Sequence, residues 1–288
     1  MSSVVVVGDT ALDIVVRHDG HIAWGDDTLA KTSLRSGGAA ANAAAWLAHL
    51  GESVTLVSRV GGDAAAAHAK AELSAHGVHC AFTVDESAAT GCVVLLVDAT
   101  GQRTMFPDRG ANALLRSTDL PALDGAKHLH LSGYVLLDSA TRRAGVDILT
   151  AARAAGLTTS VDPQSASLID DADAFREILR GVDLLLPNHN EYIALGERHV
   201  LTAVGAAAVT RGAQGAYWVD STQKVEEPAA ATECVDTTGA GDAFNAGALK
   251  AWLAGARPRD VLRAGVAASA LAVARTGAQP ATPGDRNR

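Results

Sequence analysis

Short apolar runs alternate with longer Ala-rich stretches of helical period along most of the chain. Val4–Val7 ends at Gly8-Asp9, and Val54–Ser58, His128–Leu131, Thr158–Val161 and Asp183–Leu186 are runs of similar length, which predicts strands. The last two are followed one or two residues later by proline, which cannot donate to a ladder. Between the runs, Ala39–Leu50 follows Ser36-Gly37-Gly38, a second helix opens at Gly61-Gly62-Asp63 and reaches about His76, and a third spans Ser139–Ala155 and stops at Gly156. Two long helical patterns, Gly241–Leu253 and Arg259–Arg275, come last. The alternation predicts an α/β fold with a mostly parallel central sheet and helices on both faces.

Two stretches break this rhythm. Residues 11–35 hold short strand-like pieces with polar breaks, and Gly91–Val97, a turn at Asp98–Gly101 and Arg103–Phe106 have the pattern of an antiparallel hairpin. Together they predict a small β lid, from about 11–35 and 90–112, beside or over the main sheet; an edge extension of that sheet is the alternative. No internal repeat or low-complexity linker divides the chain, so residues 1–288 are expected to form a single domain.

Composition narrows the function. With 48% hydrophobic residues a large core is available, while 4% aromatics and a net charge of −8 argue against a nucleic-acid partner. An acidic chain binds anions only through local devices. Cys80, Cys92 and Cys234 match no metal-ligand spacing and read as free thiols of a reducing compartment. The first apolar run is too short for a leader, and no run nears the roughly 20 residues of a membrane helix, so a cytoplasmic protein without a membrane partner is expected.

The most informative segment is Asp236-Thr237-Thr238-Gly239-Ala240-Gly241-Asp242-Ala243-Phe244-Asn245-Ala246-Gly247, a turn that enters an apolar helix. Its small residues let a phosphate approach the backbone, where the first helical N–H groups lack internal partners. A carboxylate in the first turn, Asp242, would repel phosphate unless it takes a proton from an attacking hydroxyl. No G-x-x-x-x-G-K-[ST] and no N-terminal strand-G-x-G-x-x-G-helix is present. The segment closely resembles the C-terminal signature of the ribokinase-like, phosphofructokinase-B type carbohydrate kinases. The resemblance implies the ribokinase-like fold, Asp242 as catalytic base and Gly239, Ala240 and Gly241 as the anion hole. It also implies that Asp236 holds the loop and a monovalent cation such as K⁺.

Further motifs fit the same family. Gly37-Gly38-Ala39-Ala40-Ala41-Asn42-Ala43-Ala44, then Leu50-Gly51, is similar to its N-terminal signature, and Asp13 matches its sugar-gripping aspartate. The resemblance thus places Asp13, Gly37, Gly38 and Asn42 at the acceptor. Asn188 and Glu191 resemble its N-x-x-E motif, which orders the waters of the Mg²⁺ carried by ATP. Thr210, Gly212, Gly215 and Gly277 resemble its nucleotide-lining segments. Arg103 and Arg109, at the expected hairpin, are candidates to read a carboxylate or phosphate, and Arg109 is counted among the substrate contacts. The chain departs from ribokinases proper at Ala39-Ala40, at Ser132-Gly133-Tyr134, at Arg211 and in a short stretch from Glu191 to Ala208. The expectation is an ATP- and Mg²⁺-dependent kinase acting on a hydroxymethyl group of a small sugar or sugar derivative. Nucleoside phosphorylation on the same fold and a non-catalytic sugar- or nucleotide-binding regulator are the alternatives. A homodimer through the lid is expected, because small sheets leave an apolar face to cover.

Overall fold

The computed structural model describes residues 3–281. The chain opens with β1 (Val4–Val7), β2 (Ala11–Arg17), β3 (Lys31–Gly37), α1 (Ala39–His49), β4 (Val54–Gly61), α2 (Ala64–Ala75) and β5 (His79–Asp85). Next come β6 (Gly91–Val97), β7 (Arg103–Asp108), β8 (His128–Ser132), α3 (Tyr134–Leu137), α4 (Arg142–Ala154) and β9 (Thr158–Asp162). Then follow α5 (Ala172–Leu179), β10 (Val182–Leu185), α6 (His189–Ala194), α7 (Glu197–Val200) and β11 (Val204–Thr210). The last elements are β12 (Ala216–Asp220), β13 (Lys224–Glu227), α8 (Ala240–Leu253) and α9 (Pro258–Val273).

The main sheet runs β13-β12-β11-β10-β9-β8-β1-β4-β5. It is parallel from β11 to β5, and β12 and β13 extend it antiparallel. Strand β1 is four consecutive valines, the β-branched run expected of a strand covered on both faces. Val4 and Val6 point to a core with Trp46 and Leu47 of α1 and Phe244 of α8; Val5 and Val7 point to the opposite core with Ile148 and Leu149 of α4 and Leu179 of α5. From β1 the order runs out to β4 and β5 on one side, and through β8, β9, β10 and β11 on the other. Open α/β sheets bind ligands outside the carboxyl ends of their strands at such a reversal, here between β1 and β8.

Several boundaries differ from the periodicity. The pattern over Ser139–Ala155 becomes α4 starting only at Arg142, because the Asp138 carboxylate turns the chain by accepting from the Ala140 amide and Thr141 Oγ1 donates to the Val135 carbonyl. Helix α9 ends at Val273, whose carbonyl accepts from the Val235 and Asp236 amides and docks the Asp236 segment there. The stretch from Glu191 to Ala208 holds only the short helices α6 and α7 before β11.

A second sheet has the order β3-β2-β6-β7. Strands β2 and β3 are antiparallel, β2 and β6 parallel, and β6 and β7 form an antiparallel hairpin. Asp13, Val15 and Arg17 on one face of β2 line a narrow crevice opposite Asp236, Thr238 and Gly277. The other face carries one apolar row across all four strands, Leu34, Ile14, Val94 and Phe106, with Leu34 56% and Phe106 55% exposed. Among the described residues no helix is long and apolar enough to cross a membrane.

Candidate active site

Two helix starts meet at the carboxyl end of β1. Gly38 caps α1 at φ +95°, and a Cβ there would lie 2.6 Å from the Asp9 carbonyl oxygen, so the close approach of α1 to β1 needs glycine. The Asp9 carboxylate accepts the Ala39 amide (2.8 Å) and the Ser132 hydroxyl (2.9 Å), tying α1, β1 and β8 together. Gly239 caps α8 at φ +75°, and a Cβ would sit 2.3 Å from the Ala278 carbonyl oxygen. That carbonyl also accepts Trp46 Nε1 of α1 at 2.8 Å. A Cβ at Gly241 would meet nothing within 4 Å, so the first turn of α8 borders open space.

Asp242, in that turn, accepts a hydrogen bond from Asn42 Nδ2 at 3.0 Å, a contact between residues 200 apart in the chain. Gln279 Nε2 donates to Asn42 Oδ1 at 3.3 Å and sets the amide's orientation. Burial pushes the Asp242 carboxyl up to about 7; the Asn42 hydrogen bond opposes this and the Asp9 and Asp13 charges add to it. Asp13 is also pushed up to about 7, by burial and then by Asp9. Any Cβ on Gly37 would come within 2.4 Å of the Asp13 carboxyl, so that side chain occupies the space glycine leaves. Asp242 and Asn42 are thus in contact, and Asp13 lies against Gly37. Ala240 N donates to the Thr237 carbonyl at 3.3 Å, which leaves the Gly241 amide without an acceptor among the described residues; a carboxyl raised to about 7 beside it can accept a proton while that amide holds an anion.

Asn188 and Glu191 form a capping box at α6: Glu191 N donates to Asn188 Oδ1 (3.0 Å) and Asn188 N to Glu191 Oε2 (2.8 Å). Glu191 is buried, and burial pushes it up to about 7 against the Asn188 hydrogen bonds. Asp162, at the end of β9, is raised by burial and by the Glu191 and Asp242 charges, and accepts Asn245 Nδ2 at 2.6 Å. Such mutually repelling carboxylates fit a hard cation between them. Among the described residues no three His, Cys, Asp or Glu side chains converge closely enough to ligate an ion directly.

Asp236 accepts the Thr238 amide and hydroxyl, the Gly277 amide and Arg103 Nη1 (3.0 Å). Burial raises its carboxyl, but the hydrogen bonds from Thr238 and Gly277 and the Arg103 charge outweigh it and lower it. The carboxylate for which the resemblance implies a monovalent cation therefore accepts a guanidinium in this structure. Arg103 also donates to the Thr237 and Thr238 hydroxyls. Arg109 is directed elsewhere, into an ion pair with Asp138, and does not line the crevice. Thr210 bridges to Asn188, joining the β11 end to α6. Gly212 is exposed in the turn that follows, and Gly215 answers a backbone need, since a Cβ at its φ of +86° would lie 2.1 Å from the Glu227 carbonyl oxygen. Gly277, at φ +98°, donates to Asp236.

Sequence reasoning passed over Asp9, Asp162, Asn245, Arg17 and Arg35. Asp9 lies two residues beyond β1 and Asp162 ends β9, both at the carboxyl edge of the sheet, which was the available signal. The arginines had none, because their convergence needs the pairing of four strands.

Residues 1–284 match the family model for pfkB family carbohydrate kinases. The chain is 32% identical to an ATP-dependent ribose-1-phosphate kinase of Halopiger xanaduensis, over 92% of this chain and 94% of that one. It is 29% identical to a nucleoside kinase of Methanothermobacter thermautotrophicus, over 92% and 86%. A protein of Escherichia coli described as a ribokinase II, solved in complex with ATP and Mg²⁺, superimposes with a TM-score of 0.86 at 25% identity, over 96% of this chain and 94% of that one.

Proposed function

Because the chain belongs to the pfkB family of carbohydrate kinases, we propose that it transfers the γ-phosphoryl group of ATP to a hydroxymethyl oxygen of a small sugar or sugar derivative. The carrying observation is Asp242: a carboxyl pushed up to about 7, oriented by Asn42, in the first turn of a helix where Gly241 borders open space. Asp242 accepts the hydroxyl proton as that oxygen bonds to the γ-phosphorus. The bond from phosphorus to the bridging oxygen breaks, and ADP leaves with that electron pair. The Gly241 amide, with the start of α8 behind it, stabilises the charge on the transferring group, and Asp13 holds acceptor hydroxyls. Glu191 and Asp162 would hold, through water, the Mg²⁺ that neutralises phosphate charge when bound. Thr210 and Gly277 lie on the nucleotide side of the site. The small sheet acts as a lid that keeps water out, and a second copy of the chain covers its apolar row.

The relatives include ribose-1-phosphate and nucleoside kinases, and both acceptor types suit this chemistry. A nucleoside is the second reading, supported by the similarity to a nucleoside kinase over 92% of this chain.

The test is Asp242→Asn. We expect turnover to fall by about 100- to 10,000-fold, the usual range for base catalysis, with ATP still bound. The folded-state pKa is raised, so ionised Asp242 opposes folding increasingly as pH rises towards about 7, and the neutral variant should melt no lower than wild type above that pH. Wild-type turnover should fall as pH drops through about 7, because the base is then protonated. Turnover in Asp242→Asn within about threefold of wild type would assign the base elsewhere.

A further inference from the structure

Three arginines line the crevice between the small sheet and the Asp236 loop: Arg17 from β2, Arg35 from β3 and Arg103 from β7. Strand pairing puts them on one face. Lys31, Arg17, Val97 and Arg103 form a single row across the four strands, and Arg35 stands directly opposite Asp13 in a parallel row. Arg103 is partnered by Asp236, whereas Arg17 and Arg35 have neither a hydrogen-bond acceptor nor an ion-pair partner among the described residues. Arg17 also faces Lys31 directly, and like charges opposed across a ladder destabilise it. In a chain of net charge −8, such a concentration of unmatched cations on the crevice side of one sheet has the character of an anion site.

On the reading of this chain as a kinase, we infer that its acceptor is a sugar phosphate, whose phosphate is held by Arg17, Arg35 and Arg103 while Asp13 holds its hydroxyls. Guanidinium forks approaching from three strands suit a dianion with three terminal oxygens better than a carboxylate with two. Arg17 and Arg35 share the face of Asp13 and look across the crevice at the loop that opens α8. Arg103 alone also reaches the Thr237-Thr238 turn, so it links the lid to the loop that opens α8.

The experiment compares pentose and hexose phosphates with their unphosphorylated parents, and with nucleosides, as acceptors for ATP. In parallel, calorimetry measures binding of the same sugar phosphates without ATP. We expect kcat/KM for the preferred sugar phosphate to exceed that of its parent by about 100-fold or more, given what charged hydrogen bonds contribute. Arg17→Ala and Arg35→Ala should each raise the KM for that acceptor by about tenfold or more and narrow the gap to the parent, with a smaller change in the KM for ATP. Calorimetric affinity should fall with salt and be lost in the double variant. Efficient use of free sugars or nucleosides in preference to phosphates would overturn the inference and leave the kinase reading standing. So would arginine variants that act on the ATP KM alone, which would assign these cations to the γ-phosphate. Sugar phosphate binding that depends on Arg17 and Arg35 without any transfer from ATP would sink the kinase reading and keep the anion site.

Discussion

The two sheets are built from the same alternating geometry and differ in what covers them. The main sheet is covered on both faces: the valines of β1 divide between two cores, as do Ala206 and Ala207 of β11. At its edge the site is held by backbone and short side chains, with Gly38 and Gly239 at positive φ and Asp9 bonded to an amide and a hydroxyl. The small sheet has one apolar row more than half exposed at both ends and one face carrying Asp13 and the arginines. Reaction chemistry needs atoms fixed to fractions of an ångström, which a doubly covered sheet provides. Acceptor selectivity needs side chains that can vary without disturbing that frame, which a sheet with an open face provides.

Three variants probe this division, in order of expected effect. Gly239→Ala strikes the fixed side: a left-handed residue with a Cβ costs about 1–2 kcal/mol, and the new carbon would press on the Ala278 carbonyl. We expect roughly a 100-fold fall in kcat, from misplacing the start of α8, and a lower melting temperature. Unchanged kcat would mean that the loop does not position the reacting groups. Glu191→Gln keeps the capping box of α6, since glutamine serves at that position, but removes the charge. The Mg²⁺ concentration for half-maximal turnover should rise by about tenfold or more while the acceptor KM moves little. An unaltered Mg²⁺ titration would remove Glu191 from the metal side of the site. The smallest effect on turnover is expected from Leu34→Lys combined with Phe106→Lys, which charges both ends of the apolar row. Sedimentation should show a dimer in wild type and a monomer in the variant. A wild-type monomer at micromolar concentration would leave the row without the partner proposed for it.

The β/α alternation, the two stretches outside it and the glycine-to-helix turn at 236–247 were legible because they are local. A four-valine run, a period of 3.6 and a glycine before a helix each express the conformational preference of a few adjacent residues. Other elements escaped: α5 spans only eight residues, and β13, Lys224–Glu227, carries one apolar residue among three charged ones. The sequence by itself therefore determined the sheet, its helices and the glycine turn that opens α8. The tertiary structure alone decided which side chains meet. It placed Asn42 on Asp242 across 200 residues, brought Asp162 into the field of Glu191 and Asp242, and paired Arg109 with Asp138. It also aligned Arg17, Arg35 and Arg103 through the registers of β2, β3, β6 and β7. The physical reason is that register and burial are collective: a one-residue slip sends every side chain of a strand to the other face, and a carboxyl moves towards neutral pH only when the folded chain removes water and crowds other charges around it.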